Sequence, residues 1–279
     1  MDAEDYRRVS HELWDAMAPG WERWRAQLAD AVTPVREWLI RELAPRSGET
    51  VLELGAGTGE TGFAAAVLLG DDGGLISTDF SPRMVEVARR RGIELGLSNI
   101  DNRVIDAERI DLDAGSVDGV LCQSTYMLVA DPAAAFTEAR RVLRPGGRLA
   151  LSVWGAPDRN PWVSIAGKIL VERGHIPPPE PGAPGVFSLA SEERTEALLR
   201  GAGFGSVRTE HVSVRFVFRD LAGYERWVLD VTGPFAVVVR GLPDDEREVL
   251  RARLAEAFVP FSADERYALP GVALCVVAS

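Results

Sequence analysis

The stretch Val51-Leu-Glu-Leu-Gly55-Ala-Gly57-Thr-Gly59 decides the fold of this 279-residue chain. A short apolar run that contains one acidic residue, Glu53, ends abruptly in three alternating glycines. A helix-favouring run, residues 61–69, follows at once. Such a strand end leaves main-chain N–H groups beside a helix start, where a ligand can approach closely because no Cβ intervenes. The pattern predicts a strand, a ligand-binding glycine loop and a helix.

The spacing of these glycines distinguishes two kinds of nucleotide-binding loop. A dinucleotide fingerprint G-x-G-x-x-G would place its third glycine at position 60, and that residue is Glu60. The pattern here is E-x-G-x-G-x-G instead. A nicotinamide-dependent dehydrogenase is therefore disfavoured.

Four further apolar runs are predicted to be strands of the same sheet. They cover residues 74–78, 100–105, 117–122 and 148–154, and the first three are followed by Asp79, Asp106 and Gln123. Open α/β sheets bind ligands at the carboxyl ends of their strands, which is where these polar residues fall. An acidic residue after the second strand is suited to accept hydrogen bonds from both hydroxyls of a ribose.

Over roughly residues 35–155 the chain resembles the class I S-adenosylmethionine (SAM)-dependent methyltransferases, especially the ubiquinone/menaquinone-type and small-molecule enzymes. The resemblance rests on the glycine loop, on Thr78-Asp-Phe-Ser-Pro-Arg-Met84, on Asp106-Ala-Glu108 and on Arg141-Val-Leu-Arg-Pro-Gly-Gly-Arg148, in that order. It implies a Rossmann-like α/β fold: a mostly parallel seven-stranded sheet with an antiparallel last strand, helices on both faces and α-helical cap insertions. It also implies SAM as the cofactor and methyl transfer as the reaction.

The resemblance further implies which residues hold the cofactor. Glu53 and the loop residues Gly55, Ala56, Gly57, Thr58 and Gly59 are expected at the methionine end of SAM. Asp79 is expected at the ribose, Phe80 and Met84 on either side of the adenine, Asp106 and Ala107 at its amino edge with Glu108 next to them, and Gln123 near the sulfonium. Each also has a structural alternative: a buried strand carboxylate for Glu53, a cap or turn residue for Asp79 and Asp106, core for Phe80 and Met84, and a loop contact for Gln123.

Composition and charge limit the partners. A net charge of −11 argues against nucleic acid or an anionic membrane as the main partner, because phosphate contacts need a basic surface. No run of about 18 uncharged apolar residues predicts a membrane span, and residues 1–8 are charged rather than apolar. Cys122 and Cys275 give neither a disulfide framework nor metal-ligand spacing. A cytoplasmic protein with no bound metal is expected.

The chain is expected to form one domain built from four segments. Residues 1–46 are predicted to be helices that close over the cofactor site, with an interruption at Pro19-Gly20, and residues 47–155 are predicted to be the SAM-binding core. Residues 156–204 are predicted to be a substrate cap, in which a proline-rich loop at 174–186 joins helices. Residues 205–279 are predicted to be the last two strands with a helical insertion at about 219–265. Within that insertion, Gly233-Pro234-Phe235 is predicted to connect two helices.

Aromatic residues outside the core suggest an apolar methyl acceptor. The candidates for contact with it are Trp21, Trp24, Tyr126, Trp162, Phe187 and Trp227. Trp21 and Trp24 could instead pack on the sheet. The small-molecule acceptor is therefore expected to be quinone-like or a secondary metabolite, and the sequence leaves open whether the protein is a monomer or a homodimer.

Catalytic residues are hard to identify, because SAM already carries an activated methyl group and the protein mainly aligns the acceptor with it. A base is needed only for an acceptor such as a phenol, and His11, Tyr126 and His175 are the candidates. No Ser/His/Asp set and no His/Cys cluster is apparent. Two alternatives stay open: a SAM-binding enzyme of non-methyl chemistry, such as a cyclase or decarboxylase, and a non-catalytic regulatory or binding relative.

Replacement of Asp79 tests the cofactor assignment. Asp79→Ala should weaken SAM binding by roughly 1.5–3 kcal/mol, because it removes a charged hydrogen bond to the ribose. Titration calorimetry on the variant and the wild-type protein measures the difference. Unchanged SAM affinity in a folded variant would rule out a ribose-binding role for Asp79.

Overall fold

The glycine loop follows the central strand of a mixed β-sheet in the computed structural model, which describes residues 2–263 and 266–279. The strands are β1 Thr50–Leu54, β2 Gly74–Asp79, β3 Ile100–Val104, β4 Val117–Gln123, β5 Leu143–Trp154, β6 Val207–Phe218, β7 Ser262–Ala263 and β8 Arg266–Ala278. Met1 of the predicted N-terminal segment and the last two residues of the predicted 219–265 insertion lie outside the described residues.

The sheet confirms the predicted fold. Its strand order is β3-β2-β1-β4-β5-β8-β6, and the two-residue β7 pairs beside β8. The strands β1 to β5 pair in parallel, whereas β8 runs antiparallel to both β5 and β6. In the described residues the sheet therefore has seven long strands, with the last one in sequence reversed and inserted between its two predecessors.

Burial on both faces explains why β1 is an almost continuous apolar run. Val51, Leu52 and Leu54 are no more than 1% exposed, as expected for a central parallel strand that is covered by helices on both sides. Its one acidic residue, Glu53, pairs in register with Ser77 of β2 and Leu121 of β4. The carboxyl end of this strand is thus fixed on two sides before the glycines begin.

The helices cover both faces of the sheet and cap its carboxyl edge. They are α1 Ala3–Ala31, α2 Thr33–Leu43, α3 Glu60–Leu69, α4 Pro82–Glu94, α5 Pro132–Val142, α6 Pro161–Glu172, α7 Glu192–Gly201, α8 Leu221–Val231, α9 Pro234–Gly241 and α10 Asp244–Ala257. Three of them, α3, α4 and α5, connect successive strands of the parallel half, so their N-termini lie at the carboxyl edge.

The structure corrects the predicted interruption at Pro19-Gly20. The helix α1 runs without a break through Pro19. Gly20 is buried against the last turn of α8, where a Cβ would overlap the carbonyl oxygen of Asp230. The glycine therefore serves close packing between two helices rather than a turn.

Two other predicted boundaries were wrong. The segment at Gly233-Pro234-Phe235 does not merely connect helices, because Pro234 begins the additional helix α9; proline is favoured at the first helical position, where its missing N–H is not needed. The strand β5 begins at Leu143 rather than Arg148, and its pairing with β4 shifts register between Val117 and Gly119.

Gly20→Ala tests the packing of α1 on α8. The added methyl group cannot fit without moving one of the helices, so we expect a loss of about 1–3 kcal/mol in the free energy of unfolding. Gly167→Ala is the matched control, because its Cβ would meet nothing within 4 Å on α6 and alanine is the better helix former by up to about 1 kcal/mol. Denaturant titration measures both variants, and equal stability changes would contradict the packing assigned to Gly20.

Candidate functional site

The loop after β1 owes its shape to glycines in the left-handed region. The backbone φ angles of Gly55, Gly57 and Gly59 are +65°, +56° and +94°, which residues with a Cβ rarely adopt. At Gly55 a Cβ would also overlap Thr125, while at Gly57 the nearest atom is on the Trp21 ring, 3.8 Å away. The loop therefore presents bare main chain toward Trp21.

The helix α3 starts at this loop without a side-chain cap. Gly59 is its N-cap residue and makes no side-chain bond to the first turn; in that turn the Gly62 N–H donates to Glu53. The N–H of Ala56 donates to the Thr78 carbonyl at 2.8 Å, which ties the loop to β2. An uncapped helix N-terminus favours negatively charged groups through its free N–H groups and its dipole. The start of α3 can therefore accept the carboxylate of an amino acid.

The Asp79 carboxylate lies directly beside the loop. It accepts hydrogen bonds from the Gly57 N–H at 3.0 Å and from the Ser81 N–H at 2.9 Å. Burial raises its pKa to about 6, against the hydrogen bonds that lower it. The side chain is 7% exposed, so a ligand that contacts it must enter the cleft.

Glu53 faces the protein rather than the open side of the loop. Its carboxylate accepts from the Gly62 N–H of α3 at 2.6 Å and from the Ser77 hydroxyl of β2 at 3.0 Å. Burial raises its pKa to about 8. We therefore assign Glu53 a positioning role, which replaces the expected contact with the methionine end of SAM: it links β1, β2 and α3 behind the loop.

The residues expected around the adenine lie at the ends of β2 and β3. Phe80 is half-buried and its ring meets His11 edge-on, with centroids 5.7 Å apart. Met84 is 2% exposed beneath the start of α4, which favours its alternative as core. Asp106 is partly exposed and accepts from the Glu108 N–H at 2.9 Å.

Glu108 has a role that sequence reasoning missed. Its buried carboxylate forms a salt bridge with Arg7 of α1 and accepts from the Ala130 N–H at 2.7 Å. The neighbouring Ala107 is 7% exposed. Glu108 therefore binds protein groups and fixes α1 over the end of β3.

Gln123, at the end of β4, points toward the start of α3. Its side-chain oxygen accepts from the Thr61 hydroxyl at 2.8 Å. The next residue, Ser124, has a φ of +58°, which is uncommon for a residue with a Cβ. The chain therefore turns sharply at the point where β4 meets the glycine loop.

One stripe of α1 runs along the rim of this cleft. Arg7, His11 and Asp15 are spaced by four residues and so lie on one helix face. They contact Glu108, Phe80 and the Ser81 hydroxyl respectively. The i, i+4, i+8 spacing could have identified this helix face from the sequence. It does not indicate which residues that face contacts.

Trp21 and Trp24 join α1 to the helical insertion. The indole N–H of Trp21 donates to the Val231 carbonyl at 3.1 Å, and that of Trp24 donates to the Asp230 carboxylate at 2.8 Å. Because the Trp21 ring also faces Gly57, it touches both the glycine loop and the insertion.

Three predicted site residues lie elsewhere. Tyr126 is fully buried against Phe136, with ring centroids 4.6 Å apart, and its hydroxyl has no hydrogen-bond partner among the described residues. His175 pairs with Glu246 of α10 at 2.9 Å, on the cap rather than at the loop. Phe187 is half-buried against the core.

The proline-rich segment reaches the end of β4 through its last residues. The Gly185 N–H and the Ser188 hydroxyl both donate to the Met127 carbonyl, at 2.9 and 2.7 Å. These contacts favour a wall of the cleft over a mere surface connection.

A group of six aromatic residues lies beyond Trp21, and we call it the aromatic cluster. It consists of Trp154, Trp162, Phe216, Phe218, Tyr224 and Trp227. Each is no more than 7% exposed. Trp154 is the last residue of β5, so the cluster begins at the carboxyl edge of the sheet.

These features fit SAM. The bare main chain at Gly57 leaves room that a Cβ would fill, the uncapped α3 suits a carboxylate, and Asp79 offers a buried acceptor for hydroxyl groups. The same residues would hold its amino-acid end and its ribose. Among residues 2–263 and 266–279 we find no group of three or more His, Cys, Asp or Glu side chains that could hold a metal ion. No helix in this part of the chain is long and apolar enough to cross a membrane.

Sequence comparison identifies relatives over most of the chain. Residues 45–163 match the family model described as a methyltransferase domain. An uncharacterized methyltransferase-like protein of Schizosaccharomyces pombe is 31% identical over 80% of this chain and 77% of its own length. The aklanonic acid methyltransferase of Streptomyces sp. strain C5 is 30% identical over 54% of this chain and 68% of its own length.

Other matches are partial or structural. An uncharacterized protein of a Streptomyces fradiae transposon is 36% identical over 59% of this chain, and the match spans 46% of that relative's length. The crystal structure of the YcgJ protein from Bacillus subtilis superposes with a TM-score of 0.60 at 18% identity, over 87% of this chain and 96% of that one. The structural match supports the fold.

The raised pKa of Asp79 predicts how SAM binding depends on pH. Below about pH 6 the carboxyl group takes up a proton and loses part of its capacity to accept hydrogen bonds from the ribose. SAM affinity should therefore fall as the pH is lowered through this value, by at most about tenfold per pH unit. Calorimetric titration between pH 5 and 8 measures the effect. Asp79→Asn is the control, because its SAM affinity should show no pH-dependent change centred near pH 6.

Glu53→Gln tests the buried carboxyl group through stability. The folded-state pKa of Glu53, about 8, lies above the ordinary value of 4.5, so folding favours the protonated form. Its contribution is fully present below pH 4.5 and is lost as the pH rises through 8. The free energy of unfolding of the wild type, relative to the variant, should therefore decrease over this range. A difference between wild type and variant that stays constant with pH in urea titrations would contradict a raised pKa for the buried Glu53 carboxyl group.

Proposed function

Because the chain belongs to the class I SAM-dependent methyltransferases, we propose that it transfers a methyl group to a small, largely apolar molecule. The methylated atom is an oxygen, a carbon or a nitrogen, and the acceptor is quinone-like or a secondary metabolite. The observation that carries this proposal is the aromatic cluster, which begins at the carboxyl end of β5 and continues behind Trp21.

The lining of the cleft favours an apolar acceptor over a charged one. The ring of Trp21 faces the glycine loop, and the rings of Trp154 and Trp162 lie with centroids 4.8 Å apart on the insertion side. The charged groups of α1 that reach the cleft are paired with the protein, as Arg7 is with Glu108 and Asp15 with Ser81. A charged acceptor would find few free partners here, whereas an aromatic one gains from stacking.

The names of two relatives support this choice of acceptor. One similar protein is an aklanonic acid methyltransferase from Streptomyces. Another, from Clavibacter sepedonicus, is a demethylmenaquinone methyltransferase, 29% identical over 63% of this chain. Both names describe small-molecule acceptors.

The protein's part in the reaction is to bind, orient and exclude water. SAM supplies an activated methyl group when bound. Asp79 and the glycine loop hold the cofactor's ribose and amino-acid end, and Glu53 keeps the loop in place from behind. The helix α1 covers the cleft, so that the acceptor meets the methyl group away from water. Alignment of this kind can supply about 7–11 kcal/mol of the barrier.

No general base is assigned. His11 contacts Phe80, which is expected beside the adenine rather than beside the acceptor. His175 is paired with Glu246 on the cap, and Tyr126 is in the core. The acceptor that suits this arrangement is one whose nucleophilic atom is reactive once desolvated and aligned.

Cofactor titration followed by an acceptor screen tests the proposal. We expect SAM and S-adenosylhomocysteine to bind and NAD not to bind, by calorimetry on the purified protein. Incubation with SAM and a panel of phenols, quinols and polycyclic aromatic acids should then yield S-adenosylhomocysteine and a product heavier by one methyl group, detected by mass spectrometry. Asp79→Ala is the control with weakened cofactor binding.

The opposite results separate the alternatives. SAM binding with an altered acceptor but no S-adenosylhomocysteine would indicate non-methyl chemistry. Failure of folded protein to bind SAM would overturn the proposal altogether.

A further inference from the structure

The polar atoms of the aromatic cluster differ in whether they have a hydrogen-bond partner. The indole N–H of Trp162 donates to the Asn160 side-chain oxygen at 3.0 Å. The hydroxyl of Tyr224 donates to the Trp162 carbonyl at 2.9 Å. In the described part of the chain, the indole nitrogen of Trp227 has no hydrogen-bond partner, although it is inaccessible to solvent.

The partner of Trp162 shows how completely this region can satisfy a buried donor. Asn160 is fully buried. Its amide nitrogen lies 3.1–3.2 Å from the carbonyl oxygens of Gly155, Ala156 and Val272, and its oxygen accepts from Trp162 and from the Val272 N–H. Beside this network, the unpaired N–H of Trp227 stands out as a donor that is left without an acceptor.

Leaving such a donor unpaired is costly. A buried polar group without a partner destabilises the folded state, because its lost hydrogen bonds to water are not replaced. The rings around it, Trp162, Phe216 and Phe218, have centroids 5.8, 5.6 and 5.4 Å from that of Trp227, and an N–H pointing at an aromatic face gains only a weak interaction. Phenylalanine would fill much of the same space without this cost, and an oxygen atom of a ligand would supply the missing acceptor.

Trp227 is connected to the cofactor loop through one helical turn. It precedes Val231 on α8 by four residues, so the two share a face of the helix. The Val231 carbonyl accepts from Trp21, whose ring lies over Gly57. The aromatic cluster is therefore linked to the glycine loop through α8 and Trp21.

We propose that the Trp227 N–H donates a hydrogen bond to an oxygen atom of the methyl acceptor, which enters the aromatic cluster as a flat molecule. The acceptor class is thereby an aromatic compound that carries a carbonyl or phenol oxygen. This inference rests on the proposed function. The rings must separate to admit such a molecule, and stacking with the acceptor replaces ring contacts that are broken.

Trp227→Phe and Trp162→Phe separate a binding role from a structural one. The first variant removes the unpaired donor, so its melting temperature should equal or exceed that of the wild type. The second removes a donor that is paired with Asn160, so its melting temperature should fall. Calorimetric scanning of the proteins without acceptor measures both. A fall for Trp227→Phe as large as that for Trp162→Phe would overturn the inference.

The binding test uses 2-hydroxy-1,4-naphthoquinone and naphthalene as probes, with protein saturated with S-adenosylhomocysteine. The wild type should bind the naphthoquinone at least about tenfold more tightly than Trp227→Phe does, because only the wild type can donate to its oxygen. Naphthalene, which has no oxygen, should bind both proteins equally. The indole N–H signal of Trp227, assigned by its loss in the variant, should shift only with the naphthoquinone.

Other outcomes overturn the inference or the proposed function separately. Equal naphthoquinone affinity in both proteins, or none in the wild type, overturns the role of Trp227. If wild type and Trp227→Phe methylate the same phenols and quinols with equal KM, the proposed function stands and this inference fails. If naphthoquinone binding depends on Trp227 but no acceptor in the panel is methylated, the oxygen site stands and the proposed function fails.

Discussion

The buried carboxyl group of Glu53 is the interaction on which the site depends. It joins three elements at the point where the sheet meets the glycine loop, through the Gly62 N–H of α3 and the Ser77 hydroxyl of β2. Its contact with Gly62 is so close that a Cβ there would overlap it. Burial at this position raises the pKa of Glu53. These bonds hold the glycine loop in its left-handed backbone conformation before a ligand binds. The loop therefore loses less conformational entropy when the ligand binds.

The cover of the site combines two kinds of contact. On the side of β2 and β3, α1 uses polar and charged groups, with Arg7 on Glu108 and Asp15 on Ser81. On the side of the insertion it uses the indoles of Trp21 and Trp24. This division matches a ligand that is polar at its cofactor end and apolar at its acceptor end. The two ends of the helix therefore contact the rest of the protein through different chemistry.

The sequence was sufficient to predict the strands of the sheet. It was not sufficient to predict which residues α1 contacts where it covers the site. Apolar runs that end in Asp79, Asp106 and Gln123 predicted the strands themselves, because strand period and turn chemistry are local properties, and the family resemblance implied their mostly parallel arrangement. The role of Glu53 was not accessible in this way, since a carboxylate before a glycine loop can face either side. The partners of Arg7 and Trp21 were equally hidden, because they are about 100 and 210 residues away and no local pattern encodes such distances.

The close packing of Gly20 on the end of α8 has a consequence for how the protein forms during synthesis. The helix α1 is made first, but Val231, which accepts from its Trp21, is made 210 residues later. The strand β8, which lies between β5 and β6, is made last of all. A nascent chain can assemble the parallel strands early, since their contacts are close in sequence, whereas contacts that close long loops form late. The part of the cover that Trp21 and Gly20 form with α8 can therefore close only after all the parallel strands have been made.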